Sequence, residues 1–258
     1  GEALELENFE PDISGGYRRI SGFRKYVNAV VPQTSSSSES LLMVANFDNK
    51  VVAARGEKIF SSASAELSIA IAANTGMTGS GTITVPSTLG FSSSGTLQIN
   101  SEIFTYTGKT STTFTGVTRA VSSTAAAHAK LDVVSESWTV RDTGRTSAAK
   151  YHFERYNFDG NEKIICVDGV NAPVIFNTSM AAADVSDSSV AGATVVAAYR
   201  NHMFYGGKST TPQEVVFSEP FNEDGFTSGQ GAGSIKVDDT VVALKVFRDS
   251  LFIFCENR

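Results

Sequence analysis

The sequence predicts an all-β protein, and three observations support this prediction. Short β-prone runs are separated by Gly, Ser, Asn and Asp, which favour turns. An aromatic residue followed within two positions by Asp or Asn occurs four times, each time at the join of two apolar runs. Two of the gaps between these motifs match the length of a four-stranded propeller blade. Together they predict a partial β-propeller of repeated four-stranded blades.

Each of the four motifs is typical of a β-hairpin. Asn, Asp and Gly tolerate the positive φ angles of tight turns, and the flanking β-branched and aromatic residues suit a pleated sheet. The motifs are Phe47-Asp48-Asn49, Phe158-Asp159-Gly160, Tyr199-Arg200-Asn201 and Phe247-Arg248-Asp249. The gap between the first two exceeds one blade by about 65 residues, which predicts an insertion.

Residues 66–134 account for this extra length. Between positions 67 and 127 the only charged residues are Glu102, Lys109 and Arg119, whereas 19% of the whole chain is charged. Regularly placed Ile, Leu, Phe and Tyr distinguish this Thr-, Ser- and Gly-rich stretch from a flexible linker. We therefore expect a small β-domain threaded into the first blade, with its two ends close together.

The remaining chain divides around this insertion. We expect an extended N-terminal arm over residues 1–40, strands of the first blade over 41–65, and further blades over 135–258. The last blade looks incomplete, because few residues follow its second strand at 251–254. Unpaired apolar sheet edges promote association, so more of the protein or another chain is expected to cover this edge.

Several protein classes are disfavoured by the composition. The sequence has no run of 18 apolar residues that would predict a membrane span, and residues 1–4 do not resemble a signal peptide. Cys166 and Cys255 lie in apolar strand patterns, where buried reduced thiols are expected, although a disulfide between neighbouring blades is conceivable. A reducing cytoplasm suits assembly of such a chain.

Catalytic and metal-binding motifs are not found in the sequence. His128, His152 and His202 are not spaced like zinc ligands. The Gly-rich loop at 229–233 lacks the Lys-Ser/Thr of a phosphate-binding loop and precedes a strand rather than a helix. We therefore expect no enzyme, no cofactor and no metal site.

One N-terminal segment stands out from a chain whose net charge is −6. Four cations alternate with three aromatic residues there, which makes the segment a candidate for a subunit interface or a DNA-facing surface. The alternative is an amphipathic strand pair turning at Ser21-Gly22, with its basic side chains in solvent or paired to nearby acids. The candidate residues are Tyr17, Arg18, Arg19, Phe23, Arg24, Lys25 and Tyr26.

Turn-and-strand motifs that carry a family resemblance cover nearly the whole chain. They include the segments 4–12, 15–26, 167–176, 198–207, 216–226, 233–237 and 242–254. These segments resemble tailed-bacteriophage virion proteins of the β-propeller tail-hub and head-to-tail stopper (tail nozzle) type. The segments 81–85, 95–99, 102–110 and 114–119 resemble a short β-module found in many phage tail and baseplate proteins.

The resemblance implies a structural role in the virion, in the neck or tail, after assembly in the host cytoplasm. It implies a ring of identical subunits, with a hexamer expected, that contacts the portal, adaptor or other tail proteins. Double-stranded DNA would pass through the ring at ejection. Because such a conduit must let a polyanion slide, we expect a lumen dominated by Asp and Glu.

Two alternatives stay open. In the first, the chain is a baseplate or receptor-binding tail component whose inserted domain contacts host surface glycans. In the second, it is a cellular or enzymatic propeller, such as a glycoside-acting protein. That activity needs two convergent carboxylates in a central pocket, and no spacing in the sequence singles out such a pair.

Overall fold

The computed structural model describes residues 9–11, 17–19, 25–34, 39–146 and 150–257. These residues form 23 strands and one short 3-10 helix, Ser228–Gln230. The prediction of an all-β protein is therefore confirmed. Within the described residues, no helix has the length and apolar character needed to span a membrane.

A two-stranded antiparallel sheet lies near the N-terminus. It pairs β1 (Phe9–Pro11) with β2 (Tyr17–Arg19), and Glu10 stands opposite Arg18 in the register. The strand pair considered from the sequence would turn at Ser21-Gly22, which lies outside the described residues. Residues 25–34 contain no strand, so the observed partner of β2 is the preceding segment.

The first sheet of the main body has four antiparallel strands in the order β13-β5-β4-β3. Three of its strands are consecutive in the chain, and the fourth comes from a later segment. The strands are β3 (Leu41–Phe47), β4 (Lys50–Arg55), β5 (Lys58–Ser62) and β13 (Thr139–Asp142).

The second and third sheets are four-stranded antiparallel meanders, and the fourth sheet has two strands. The second consists of β14 (His152–Tyr156), β15 (Lys163–Val167), β16 (Val174–Asn177) and β17 (Ala182–Asp184). The third consists of β18 (Val195–Tyr199), β19 (His202–Gly206), β20 (Glu214–Phe217) and β21 (Gly233–Lys236). The fourth pairs β22 (Val241–Phe247) with β23 (Ser250–Cys255).

A seven-stranded unit separates β5 from β13 in the chain. Its strands are β6 (Ser64–Glu66), β7 (Thr78–Thr84), β8 (Gly95–Ile99), β9 (Glu102–Tyr106), β10 (Gly108–Lys109), β11 (Thr113–Thr118) and β12 (Val133–Glu136). The strand order is β10-β11-β9-β8-β12-β6, and β7 pairs with β11. The unit has its own apolar core, which includes Leu97, Ile99, Phe104, Phe114 and Val117.

The chain enters and leaves this unit at one place. Ser62 Oγ donates a hydrogen bond to Glu136 O over 2.8 Å, and Glu136 N donates to Ala63 O over 2.8 Å. The unit also packs on the hairpin turn that follows β3. A Cβ added to Gly90 would lie 2.4 Å from Asn49 O, so only glycine fits at this contact.

The four predicted hairpins are confirmed, and three of them have two-residue turns. Phe47 pairs with Lys50, Tyr199 with His202, and Phe247 with Ser250. The turn residues adopt the positive φ angles that such hairpins require: 45° at Asp48, 58° at Asn49, 47° at Arg200, 64° at Asn201 and 51° at Arg248. The motif at 158–160 lies in a longer loop, because Tyr156 pairs with Lys163.

Consecutive sheets pack face to face in chain order. Because side chains alternate between the two faces of a strand, Ile164 lies in the interface between the first and second sheets, and Ile165 lies in the next interface. Phe47 and Phe176 lie in the first interface, Ile165 and Tyr205 in the second, and Phe204 and Leu244 in the third. The middle two sheets are therefore covered on both faces.

The first strands of the four sheets are neighbours. Strand β3 lies against β14, β14 against β18, and β18 against β22. Polar links accompany this packing: Lys163 Nζ lies 2.7 Å from Glu223 Oε1, between the second and third sheets, and Tyr199 Oη donates to Asp249 O over 2.7 Å.

Candidate functional site

The structure divides the basic and aromatic segment predicted as an interaction surface. Tyr17, Arg18 and Arg19 form β2, and the register pairs them with residues 9–11. Phe23 and Arg24 lie outside the described residues. Lys25 is exposed, and Tyr26, which is 46% exposed, lies at the edge of a cavity on the first sheet.

This cavity, the first-sheet groove, is apolar and has a volume of about 400 Å³. It opens between residues 26–31 and the face of the first sheet that points away from the second sheet. Its apolar lining includes Tyr26, Val30, Leu41, Val44 and Trp138. Val30, Leu41 and Val44 expose half or more of their surface, so the groove has an open apolar rim.

Hydrogen bonds hold residues 25–34 in place beside the groove. Trp138 Nε1 donates to Ala29 O over 2.9 Å, and Arg55 Nη1 donates to Val31 O over 2.6 Å. Asn28 Nδ2 donates to two carbonyl oxygens of the seven-stranded unit, those of Gln98 and Val133, over 2.7 Å each. This segment therefore connects the first sheet to the seven-stranded unit.

A second exposed apolar surface, the aromatic face, lies at the other end of the stack of sheets. Phe247, Phe252 and Phe254 project from the fourth sheet and are 61%, 46% and 47% exposed. The ring centroids of Phe252 and Phe254 are 6.4 Å apart, and those of Phe247 and Phe252 are 6.3 Å apart. Their side chains form one continuous patch on this face.

A polar cavity, the inner-strand cavity, lies beside β14 and β22 and has a volume of about 560 Å³. Tyr151 and the β14 residues His152, Phe153, Glu154 and Arg155 line it, together with Lys245 of β22. Burial raises the pKa of Glu154, and the charges of Lys245 and Arg155 offset this effect in part.

The four neighbouring first strands carry few charges. Over β3, β14, β18 and β22 the only charged side chains are Glu154, Arg155 and Lys245. Two cations and one acid do not make an acidic surface. The acidic balance of the chain is carried by other elements.

The seven-stranded unit contains a buried ionic network that the sequence did not predict. Glu102 is completely buried and accepts hydrogen bonds from Arg119 Nε and Nη2, both over 2.8 Å. The N–H groups of Ala120 and Ala126 donate to the same carboxylate. His128 Nε2 lies 2.8 Å from Glu102 Oε2 and must donate, because a carboxylate only accepts.

The geometry of this network indicates a structural role, because both carboxylate oxygens of Glu102 accept hydrogen bonds inside the core. The two other histidines are separate from it: His152 is exposed, and His202 Nδ1 lies 2.6 Å from Ser218 O. Among the described residues, no three His, Cys, Asp or Glu side chains gather as a metal would require.

The two cysteines are free thiols in different environments. Cys166 lies in the interface between the first and second sheets, and burial raises its pKa to about 12. The prediction of a buried thiol is confirmed for this residue. Cys255 lies on the face of β23 that also carries Leu251 and Ile253, towards the third sheet, and it is only partly buried.

Comparison of the chain with protein-family models, with curated proteins and with solved structures finds no match.

Proposed function

We propose that the four sheets form an arc of a β-propeller whose axis lies beside β3, β14, β18 and β22. One observation supports this most: successive antiparallel sheets pack face to face while their first strands are neighbours. Propeller blades share this arrangement, because each blade radiates from the axis and is covered by its neighbours. The seven-stranded unit is then a domain inserted between the third and fourth strands of the first blade.

On this basis we propose that the chain is a ring-forming structural component of a phage particle, located in the neck or tail. Double-stranded DNA would pass through the ring at ejection. The proposal is supported by the resemblance to phage hub and stopper proteins of segments that lie between residues 4 and 26 and between residues 167 and 254. The face-to-face packing of the four sheets agrees with it. Its partners would be other copies of itself and the portal, adaptor or tail proteins.

Contacts between copies are proposed to use the two exposed apolar surfaces. The first-sheet groove and the aromatic face lie at opposite ends of the stack of sheets. An apolar patch on one copy that fits a cavity elsewhere on the next copy makes a head-to-tail contact, and such contacts close into a ring when the rotation between copies permits. Exposed patches of this kind mark association sites in many proteins.

The proposed lumen is mainly apolar and carries few charges. Val242 on β22 is among its exposed side chains. A wall with few fixed cations gives DNA few phosphate contacts, and the affinity for DNA grows with the number of such contacts. Sliding would therefore depend on a low density of cations rather than on repulsion by acids.

Electron cryo-microscopy of the purified protein, with its mass measured by light scattering, tests the ring. The expected result is averaged images with six-fold symmetry around a central channel. A monomer at micromolar concentration would refute ring formation by this chain. Immunogold labelling of phage particles that contain the chain tests its location, and label away from the neck and tail would refute that part.

A further inference from the structure

We infer that the inner-strand cavity is a binding site for a phosphate-bearing ligand. Arg155 on β14 and Lys245 on β22 line the same cavity. Neither side chain has a carboxylate within 4.0 Å or a hydrogen-bond partner among the described residues, whereas Arg119, Arg145 and Lys163 are all paired with acids. This inference rests on the cavity alone and does not require the ring.

An anion in this cavity would be attracted by both cations. Arg presents a planar fork of N–H donors that suits two oxygens of a phosphate, and Lys adds a point charge. Both charges lie close enough to Glu154 to act on its carboxyl group, so the three groups belong to one electrostatic site. A phosphate between the two cations would satisfy both.

The other lining residues narrow the class of ligand. Phe153 is 40% exposed and offers an aromatic face, and Glu154 offers an acceptor for a hydroxyl or amino group. The cavity, at about 560 Å³, has the size of known small-molecule sites and exceeds the size of a free phosphate ion. These features fit a phosphate ester of nucleotide size, whether it is a free nucleotide or part of a nucleic acid backbone.

Calorimetric titration of the full chain with inorganic phosphate, a mononucleotide and a short DNA duplex tests this assignment. We expect Arg155→Gln and Lys245→Gln each to weaken binding of phosphate by about tenfold. The matched control is Lys236→Gln, which removes an exposed cation from β21 and should leave binding unchanged. Thermal melts of each variant identify any loss of fold.

The variant Glu154→Gln distinguishes a binding role of these residues from a purely structural one, because only a binding role predicts a change in phosphate affinity. Removing the negative charge of Glu154, which repels phosphate, should tighten the binding of phosphate, whereas the two cation variants should weaken it. If the mononucleotide binds more tightly than the duplex, the phosphate belongs to a small-molecule ligand. If the duplex binds more tightly, the phosphate belongs to a DNA backbone. The inference is overturned if no probe binds, if the control weakens binding equally, or if Glu154→Gln fails to tighten it.

Discussion

Replacing Glu102 with Gln tests whether the buried network stabilises the seven-stranded unit. The substitution keeps the shape of the side chain but removes the charge that faces Arg119 and His128. The Arg119 side chain is only 5% exposed, so it would become a buried cation without a counter-ion. The amide N–H₂ group of the new glutamine would also face one of the donors that now bond to Glu102, and two donors cannot form a hydrogen bond with each other. Breaking a buried ion pair on one side costs about 3–5 kcal/mol.

The pKa of Glu102 gives a similar magnitude. Burial by itself raises this pKa, but the hydrogen bonds from Arg119, Ala126 and His128, together with the charge of Arg119, lower it from 4.5 to about 2. A carboxyl group whose pKa is lowered by folding stabilises the protein above its unfolded pKa, and this stabilisation is lost as the pH falls from 4.5 towards 2. The shift corresponds to roughly 3 kcal/mol.

Hydrogen exchange of backbone amides in β9 and β11 measures this stability within the unit. We expect protection in the wild-type protein to be high at neutral pH and to fall at about pH 3. Glu102→Gln should lower protection at neutral pH and remove most of the pH dependence. Lys130→Gln, at an exposed position of the same unit, is the control and should cost less than about 1 kcal/mol. A loss below about 1 kcal/mol for Glu102→Gln, or an unchanged pH dependence, would refute the reasoning.

Three further predictions concern the joins between parts of the protein. Arg145→Ala removes a buried guanidinium that pairs with one aspartate in each of the first two sheets, so the free energy of unfolding in urea should fall by about 2–4 kcal/mol, whereas Arg141→Ala should cost about 1 kcal/mol or less. Asn28→Ala removes two hydrogen bonds to the seven-stranded unit, so amides of residues 25–34 should exchange about tenfold faster, and an unchanged rate would contradict the connection. Phe252→Ala combined with Phe254→Ala should change unfolding by less than about 1 kcal/mol per site while reducing the mass seen by light scattering, and an unchanged mass would exclude the aromatic face as the contact.

The hairpin turns could be predicted because turn chemistry is local. Asp48, Asn49 and Asn201 adopt positive φ at little cost, so their position between two apolar runs is informative. Arg200 and Arg248 adopt the same region, although Arg does not favour it. At these two positions the pairing of the flanking strands sets the turn, and only the neighbouring Asx residue indicates it in the sequence.

The partners of the buried charges could not be predicted, because they depend on contacts between distant segments. Glu102 begins β9, and Arg119 follows β11, which meets β9 at a single pair of residues, Thr118 and Thr105. His128 reaches the same place through an isolated bridge to Ile71. A usable signal was still present, because a lone charge in a β-rich and otherwise uncharged stretch is stable in a core only when it is paired.

The net charge of the chain does not determine the charge of the four first strands, for a reason that lies in the fold. Each sheet contributes one strand to the proposed axis, and most positions on these four strands are occupied by apolar residues. Few positions on these strands carry charged side chains, and those side chains are Glu154, Arg155 and Lys245. The charge of these strands therefore depends on three residues out of a chain with 27 acids and 21 cations. The opposite effects expected from Arg155→Gln and Glu154→Gln would establish whether this surface retains phosphate or repels it.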